Sequence, residues 1–180
     1  MNRCTWAMNV NEIYTKYHDE EWGEPIHDDQ KLYEMLILES FQAGLSWSCI
    51  LNKRKNFKKA FDNFDIDKII NYDENKIKEL QNNEGIIRNK LKIKATINNS
   101  KIFKQIQEEY GSFDKYIWSF TNNETIYELD KVSSELSDSI SKDLKQRGMK
   151  FVGTIIIYSY LQAIGIINSH EIQCFKHYKI

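Results

Sequence analysis

The sequence predicts an all-α fold, and three of its features support that prediction. Proline and glycine are scarce, with one proline at Pro25 and seven glycines in 180 residues, which suits long helices joined by short connections. No segment shows the sustained apolar–polar alternation of a half-buried strand. Hydrophobic residues make up 41% of the chain and aromatic residues 13%, so a substantial core can form.

Capping residues predict where the helices of the first half begin. Asp28 or Asp29 caps a helix that reaches about residue 43, and Ser46 caps another from residue 47 to 57. Asp65 and Asp73 open two short helices. The second of these is expected to close at Gly85.

Glycines mark most helix ends in the second half. A long helix is expected at residues 87–109, ending at Gly111, and Ser112 caps a further one at 113–120. A last pair is expected at residues 137–146 and 152–164, closed by Gly148 and Gly165. Because residues 152–164 are apolar nearly all round, this helix should run through the middle of the core. The two chain ends lack such periodicity and need another fastening.

Bulk composition excludes several classes of protein. No apolar run follows a basic start, and the longest apolar stretch, residues 151–167, is shorter than the roughly 20 residues of a membrane span. Three cysteines do not make a disulfide framework. We expect one domain spanning residues 1–180, in the cytoplasm and without a membrane partner. A net charge of −1 is neutral on nucleic-acid binding, which depends on local basic patches.

Glu39 falls in the middle of an apolar helical face. Leu32, Met35, Leu36 and Ala43 share that face. A lone carboxylate there loses solvation, so its pKa should rise. Two interpretations stay open: a structural glutamate that satisfies helix N-termini or a buried arginine, and an active-site acid.

Aromatic residues surround Glu39 in the sequence. Gly44 lets the chain turn sharply after the Glu39 helix, which brings Trp47 close. Upstream lie Trp6, Tyr14, Tyr17 and Trp22. Each one singly is better explained as core. Together with a buried acid they would form a slot for a flat cationic ring, because aromatic faces attract cations.

Two cysteines and two histidines lie near the chain ends. Cys4 and His18 are near the start, and His170 and Cys174 are four residues apart near the end. A Cys2His2 set forms a closed tetrahedral zinc site, which would fasten both ends and be structural. The alternative is that they are unrelated buried thiols and surface histidines. Cys49 is expected in the core, and His27 and His177 on the surface.

Three basic clusters are candidates for DNA contact. The cluster at residues 53–59 is best explained as a solvated face. The turn at residues 84–88 is expected to place Arg88 in the first turn of a helix, where backbone N–H groups can bind a phosphate, as in a helix-hairpin-helix element. With the segment 145–150, the predicted DNA-contacting residues are Gly85, Ile87, Arg88, Lys145, Arg147 and Lys150.

Several motifs in register resemble the 3-methyladenine DNA glycosylase I family. They cover nearly the whole chain: Arg3-Cys4-x-Trp6, Tyr17-His18-Asp19-x-Glu21-Trp22-Gly23-x-Pro25, Leu38-Glu39-x-x-Gln42-Ala43-Gly44-Leu45-Ser46-Trp47, Gly85-Ile86-Ile87-Arg88-Asn89, Lys92-Ile93-x-Ala95, Trp118-x-Phe120, Leu144-Lys145-x-Arg147-Gly148-x-Lys150-Phe151-Val152-Gly153, Tyr158, Gln162-Ala163-x-Gly165, Asn168-x-His170 and Cys174.

The resemblance implies a helix-hairpin-helix DNA glycosylase whose ends are tied by a structural zinc on Cys4, His18, His170 and Cys174. It implies that alkylated double-stranded DNA is the partner and that free 3-methyladenine is released hydrolytically, without a lyase step. Glu39 and Tyr17 would be catalytic. The base would bind between Glu39, Tyr17, Trp47, Trp6 and Trp22. We expect a monomer.

This chain departs from the family pattern at a few positions. Ser169 stands where aspartate is usual, Met149 replaces a phenylalanine, and residues 9–11 stand where Asp-Pro is common. None is a proposed pocket group or ligand. Three other classes stay open: a damage-binding module that does not cut, a zinc hydrolase and a helical scaffold.

Overall fold

Helices dominate the computed structural model, which describes residues 2–177, and this confirms the all-α prediction. In chain order they are α1 (Glu12–Glu20), α2 (Asp29–Gln42), α3 (Trp47–Ala60), α4 (Ile66–Ile69), α5 (Glu74–Asn82), α6 (Lys90–Tyr110), α7 (Phe113–Ser119), α8 (Glu135–Gln146) and α9 (Thr154–Ala163). Single 3-10 turns occur at Thr5–Ala7 and Asp62–Phe64. A pair of two-residue strands, β1 (Ile126–Tyr127) and β2 (Ile167–Asn168), was not predicted.

The predicted capping residues start the helices for the expected reason. The side chains of Asp28, Ser46, Asp65, Asp73 and Ser112 each accept a hydrogen bond from a backbone N–H two or three residues ahead. These bonds satisfy N–H groups that have no carbonyl partner within the helix. The starts of α2, α3, α4, α5 and α7 are therefore confirmed.

Other helix boundaries differ from the prediction. Helix α6 begins at Lys90 rather than at residue 87, because the Asn89 side chain caps it by accepting from the Lys92 N–H at 3.1 Å. Helix α5 ends at Asn82, and its cap is Asn83 rather than Gly85. Helix α8 starts early, at Glu135, where Ser134 forms a capping box. Helix α1 was missed altogether; its cap is Asn11.

The core sits between α2 and α9, which pack on each other. Helix α9 contributes the buried residues Ile157, Tyr158, Tyr160 and Leu161, as its apolar sequence predicts. Ile155 is the exception, being 57% exposed. The parallel pair of β1 and β2 aligns Ile126 with Ile167 and extends the core beyond the end of α9.

A close backbone approach fastens residues 23–26 to the end of α9. Gly23 N–H donates to Gln162 O and Ile26 N–H donates to Ile164 O, both at 3.0 Å. Gly165 has a φ of +76°, and a Cβ there would lie 2.3 Å from the Glu24 carbonyl carbon. This contact holds Trp22 beside the C-terminal segment. Over residues 2–177, no helix has the length and apolarity to cross a membrane.

Candidate functional site

Glu39 is buried in the last turn of α2, with 2% of its surface exposed. Within residues 2–177 its Oε2 atom has no hydrogen-bond partner. Burial raises the pKa of this carboxyl well above its ordinary value. The structural alternative, a glutamate that satisfies a helix terminus or an arginine, therefore finds no support.

Glu39 lines a cavity of about 330 Å³, which we call the aromatic pocket. This volume is at the lower end of the roughly 300–1,000 Å³ typical of small-ligand sites. The predicted aromatic residues all line it: Trp6, Tyr14, Tyr17, Trp22 and Trp47. The opposite wall is polar, with Ser159, Gln162 and Ser169.

The polar atoms of the aromatic pocket are left without partners. Besides Glu39 Oε2, the buried Gln42 Oε1 and Trp47 Nε1 atoms have no hydrogen-bond partner in the described chain. Buried polar groups in native proteins nearly always have a partner, so such a cluster is typical of a ligand site. Its chemistry suits a ring that offers both donors and acceptors.

Tyr17 closes the pocket beside Trp47. Its ring centroid lies 5.4 Å from that of Trp47, and the side chain is buried in α1. Burial, with a further contribution from Glu39, raises the Tyr17 pKa well above its ordinary value. The phenol is therefore neutral and can donate a hydrogen bond.

Sequence reasoning missed Gln42 and the polar wall on α9. Gln42 follows Glu39 by three residues, so the helical period alone could have placed it on the same face. Gln162 donates to Ser169 Oγ at 2.8 Å. Nothing local in the sequence indicates that Ser159 and Gln162 of α9 line the same cavity as Glu39.

The four predicted metal ligands converge at the chain ends, and we call them the Cys–His cluster: Cys4, His18, His170 and Cys174. All four are buried, and their ligand atoms lie within 4.8 Å of one another. His170 Nδ1 lies 3.4 Å from Cys4 Sγ and 3.5 Å from Cys174 Sγ. Atoms bound at about 2.0–2.3 Å to one tetrahedral metal lie about 3.3–3.8 Å apart, so the cluster could hold a metal ion.

The outward-facing atoms of the cluster are also paired. Asp19 Oδ1 lies 2.8 Å from His18 Nδ1, and Trp22 O lies 3.0 Å from His170 Nε2. Such partners fix which ring nitrogen carries the proton and leave the other free to bind a metal. Burial lowers the His170 pKa to about 4, which keeps the ring neutral, as a ligand must be.

Two histidines of the Cys–His cluster contact residues that line the aromatic pocket. The Trp6 ring lies 5.1 Å from His18, and the Trp22 ring lies 4.6 Å from His170. Trp6 and Trp22 also pack edge to face at 4.9 Å. The two histidines therefore support two tryptophans of the pocket directly.

The basic segments are only partly as predicted. Arg88 precedes α6 instead of lying in its first turn, and its side chain is 53% exposed. Lys150 and the α6 residue Leu91 line one surface depression, so those two segments share a face. Lys145 is exposed elsewhere, on a depression along α8.

Arg147 and Arg54 have structural partners that the sequence did not reveal. Arg147 pairs with Glu109 at 2.6 Å and with Asp143 at 2.8 Å, so its guanidinium is engaged within the protein. Arg54, in the cluster expected to be solvated, pairs with Glu21 and Glu34. Arg147 is paired by Glu109 of α6 and by Asp143, four residues earlier on α8, and Arg54 is paired by carboxylates from outside its own helix.

The structure also tests three minor predictions. Cys49 is half-buried. His27 is exposed, as expected, but stacks on Trp118 and bonds to Asp114. His177 was expected to have no partner, yet its Nδ1 bonds to the His170 carbonyl at 2.7 Å.

Comparison with known proteins gives consistent results. A family model described as methyladenine glycosylase matches residues 6–177. DNA-3-methyladenine glycosylase 1 from Escherichia coli (strain K12) is 41% identical over 97% of this chain and 96% of its own length.

Solved structures agree as well. A crystal structure of 3-methyladenine DNA glycosylase I superposes with a TM-score of 0.92, at 40% identity over 98% of this chain and 100% of the other. A structure describing 3-methyladenine recognition by the Staphylococcus aureus glycosylase has a TM-score of 0.94, at 32% identity over 100% and 98%.

Proposed function

The chain belongs to the methyladenine glycosylase family, and we propose that the aromatic pocket is where it carries out the family's reaction. It is a base excision repair glycosylase that removes 3-methyladenine from alkylated DNA by hydrolysing the N-glycosidic bond. The observation that carries the site assignment is the set of unpartnered polar atoms on Glu39, Gln42 and Trp47, enclosed by aromatic rings.

Glu39 is proposed to recognise the positive charge of the methylated base. Burial raises the pKa of this carboxyl well above its ordinary value, which favours the protonated acid. A cationic ring within about 4–6 Å favours the carboxylate, so base entry and proton release are coupled. The cationic base is already a good leaving group, and Glu39 holds it until the N-glycosidic bond breaks. The electron pair of that bond then passes to the base, which leaves as neutral 3-methyladenine, while water adds at the sugar carbon and loses a proton.

Tyr17 and the tryptophans are proposed to orient the base. The neutral Tyr17 phenol supplies a second hydrogen bond, and Trp47 stacks on the ring. Trp6 and Trp22 complete the walls. Extruded bases are held in this manner by stacking and by hydrogen bonds to their edges.

We propose a monofunctional reaction without a lyase step. Lys131 lines the pocket, and its ammonium pairs with Glu128 at 3.0 Å. A lysine that forms a Schiff base needs its amine free to reach the sugar carbon, and Glu128 holds this one. Treating a reaction mixture with borohydride should therefore trap no covalent enzyme–DNA adduct.

The Cys–His cluster is proposed to bind one structural zinc ion. Two thiolates and two imidazoles suit zinc, and four protein ligands leave no position for a reactive water. When bound, the metal would join the N-terminal and C-terminal segments. The zinc-hydrolase alternative needs an open position on the metal, which this cluster does not provide.

Double-stranded DNA is proposed to bind a monomer across the start of α6. Gly85, Ile87 and Arg88 form the helix-hairpin-helix turn of that face, and Lys150 lies beside it. We leave out Arg147, whose charge is paired internally. Lys145 would contact DNA only if the duplex extends along α8.

The test is release of free bases from randomly methylated DNA, with the products separated and identified. The wild type should release 3-methyladenine and little 7-methylguanine. Glu39→Gln should lower the rate roughly 100-fold, as expected when one preorganised electrostatic group is removed.

Glu34→Gln is the matched control. It makes the same change on the same helix, but the Glu34 carboxylate is paired with Arg54 at 2.7 Å and lies outside the aromatic pocket. It should leave base release unchanged. A folded, metal-loaded wild type that releases no base would instead leave a damage-binding module as the better interpretation.

A further inference from the structure

Lys92 is a buried cation with an unusual pair of partners. It is 7% exposed, and its Nζ atom donates to the carbonyls of Phe41 at 2.8 Å and Ala43 at 2.6 Å. Among the ion pairs of residues 2–177 none involves Lys92. The Nζ atom also lies 5.9 Å from the centroid of the Phe151 ring.

The two carbonyls belong to the end of α2, where a helix has no internal donors for them. Glu39 lies in the last turn of that helix, and Trp47 is the first residue of α3. Between them the chain turns at Gly44, with a φ of +77°. The Lys92 ammonium therefore holds the turn that sets Glu39 and Trp47 relative to each other.

Lys92 also belongs to the first turn of α6, the helix that follows the proposed DNA-contacting turn. Its backbone N–H donates to the capping Asn89 side chain at 3.1 Å. Arg88 directly precedes Asn89 in the sequence. One side chain thus connects the segment proposed to meet the DNA backbone with the turn at the mouth of the pocket.

Removing the ammonium would leave the Phe41 and Ala43 carbonyls without this donor, which costs free energy. A methionine would fill much the same space as the lysine stem, so it tests the donor separately from packing. The charge is informative because, within residues 2–177, the hydrogen bonds of the Lys92 Nζ atom go only to these two carbonyls of the turn.

We propose that Lys92 is a positioning residue for base capture, which fixes the turn between α2 and α3 to the start of α6. This inference rests on the proposed function. It requires that Lys92 act through the geometry of Glu39 and Trp47, and it assigns Lys92 no contact with the base or with DNA.

The experiment compares wild type with Lys92→Met and Lys92→Arg in three measurements. These are the single-turnover rate of 3-methyladenine release at saturating enzyme, the Kd for the same DNA, and tryptophan fluorescence during titration with free 3-methyladenine. Lys94→Met is the matched control. Lys94 lies two residues on, is 46% exposed and pairs with Glu74.

Lys92→Met should lower the release rate roughly 10- to 100-fold, the loss expected from misplacement by about an ångström. It should weaken binding of the free base, while the Kd for DNA stays near wild type. The two carbonyls left without this donor should lower the thermal midpoint by several degrees, so the rates are compared at a temperature where both proteins are folded. Lys92→Arg keeps the donors and should retain most of the rate. Lys94→Met should behave as wild type in base release.

Wild-type release and free-base binding by Lys92→Met would overturn the inference. So would a rate loss explained wholly by weaker DNA binding, because that would make Lys92 a DNA contact. If Lys92→Met does not fold, Lys92→Gln replaces it, and equal rates for the Gln and Arg variants would be contrary to the inference. Failure of the wild type to release base would refute the proposed function instead.

Discussion

The Cys–His cluster and the aromatic pocket are neighbours that both contact Trp6 and Trp22. They differ in whether their buried polar atoms have hydrogen-bond partners. In the cluster the outward ring nitrogens of His18 and His170 are paired, and Cys4 Sγ accepts the Glu171 N–H at 3.4 Å. In the pocket, Glu39 Oε2, Gln42 Oε1 and Trp47 Nε1 have no hydrogen-bond partner among the residues that the structure describes.

Paired polar atoms, as in the Cys–His cluster, are typical of a site that stabilises the fold. Unpartnered polar atoms, as in the aromatic pocket, are typical of a ligand site. A buried polar group without a partner costs free energy until a ligand supplies one. A buried group with all its partners holds its neighbours in place. Because Trp6 and Trp22 pack against His18 and His170, we expect the pocket to lose its shape when the cluster is broken.

The largest expected effect comes from breaking the cluster. Cys174→Ser removes one of four ligands, so we expect zinc to be lost and the thermal midpoint to fall by about 10 °C or more, since metal-binding free energy contributes to folding. Metal analysis and thermal melts with and without a chelator check this. Cys49→Ser, which changes a cysteine outside the cluster, should retain both metal and stability.

A smaller effect is expected from removing Asp19, the carboxylate that pairs with the His18 ring. Asp19→Ala removes the carboxylate that fixes the His18 ring, and zinc affinity should fall by roughly 10-fold. Competition with a chromogenic chelator measures this change. Glu20→Ala, at an exposed neighbouring carboxylate, is the control; an equal loss in both variants would contradict the role given to Asp19.

The smallest expected effect is the change in stability when the buried carboxyl of Glu39 in the aromatic pocket is replaced. Because the folded-state pKa of Glu39 lies above its unfolded value of about 4.3, folding favours the protonated acid. The contribution of Glu39 to stability is greatest at low pH and is lost as the pH rises through the folded pKa. Glu39→Gln should therefore raise the thermal midpoint by roughly 2–4 °C at pH 8, and by less at pH 5.

Thermal melts at both pH values check that prediction. Glu34→Gln should do the reverse, because its carboxylate is paired with Arg54 and its removal takes away a favourable contact. If the two variants shifted the midpoint in the same direction, the contrast between paired and unpartnered carboxylates would fail.

The start of a helix was predictable where one capping residue stood alone. It was not predictable where the apolar pattern and the capping residue indicated different starts. Ser46 and Ser112 stand alone as capping residues, and their helices begin as expected. At α6, the apolar pattern continued back to residue 87 while Asn89 supplied the cap, so the helix begins later. Arg88 consequently lies outside the helix.

Charged residues were the hardest to interpret from the sequence. Arg147 belongs to a basic run, but Glu109 and Asp143 neutralise it from α6 and α8. Lys92 looked like one member of another run, yet it is buried against two carbonyls. A run of like charges does not show which residues face carboxylates or carbonyls on other helices.

By itself, the sequence determined the helical fold, the apolar face that carries Glu39 and the types of residue in the Cys–His cluster, since these follow from local propensity, periodicity and side-chain chemistry. Only the tertiary structure brought Cys4 to His170, 166 residues away, and placed Ser159 and Gln162 of α9 in the same cavity as Glu39. It also left Glu39 Oε2 without a partner within residues 2–177. A helical period shows which way a side chain points, but what it meets there depends on how the helices pack.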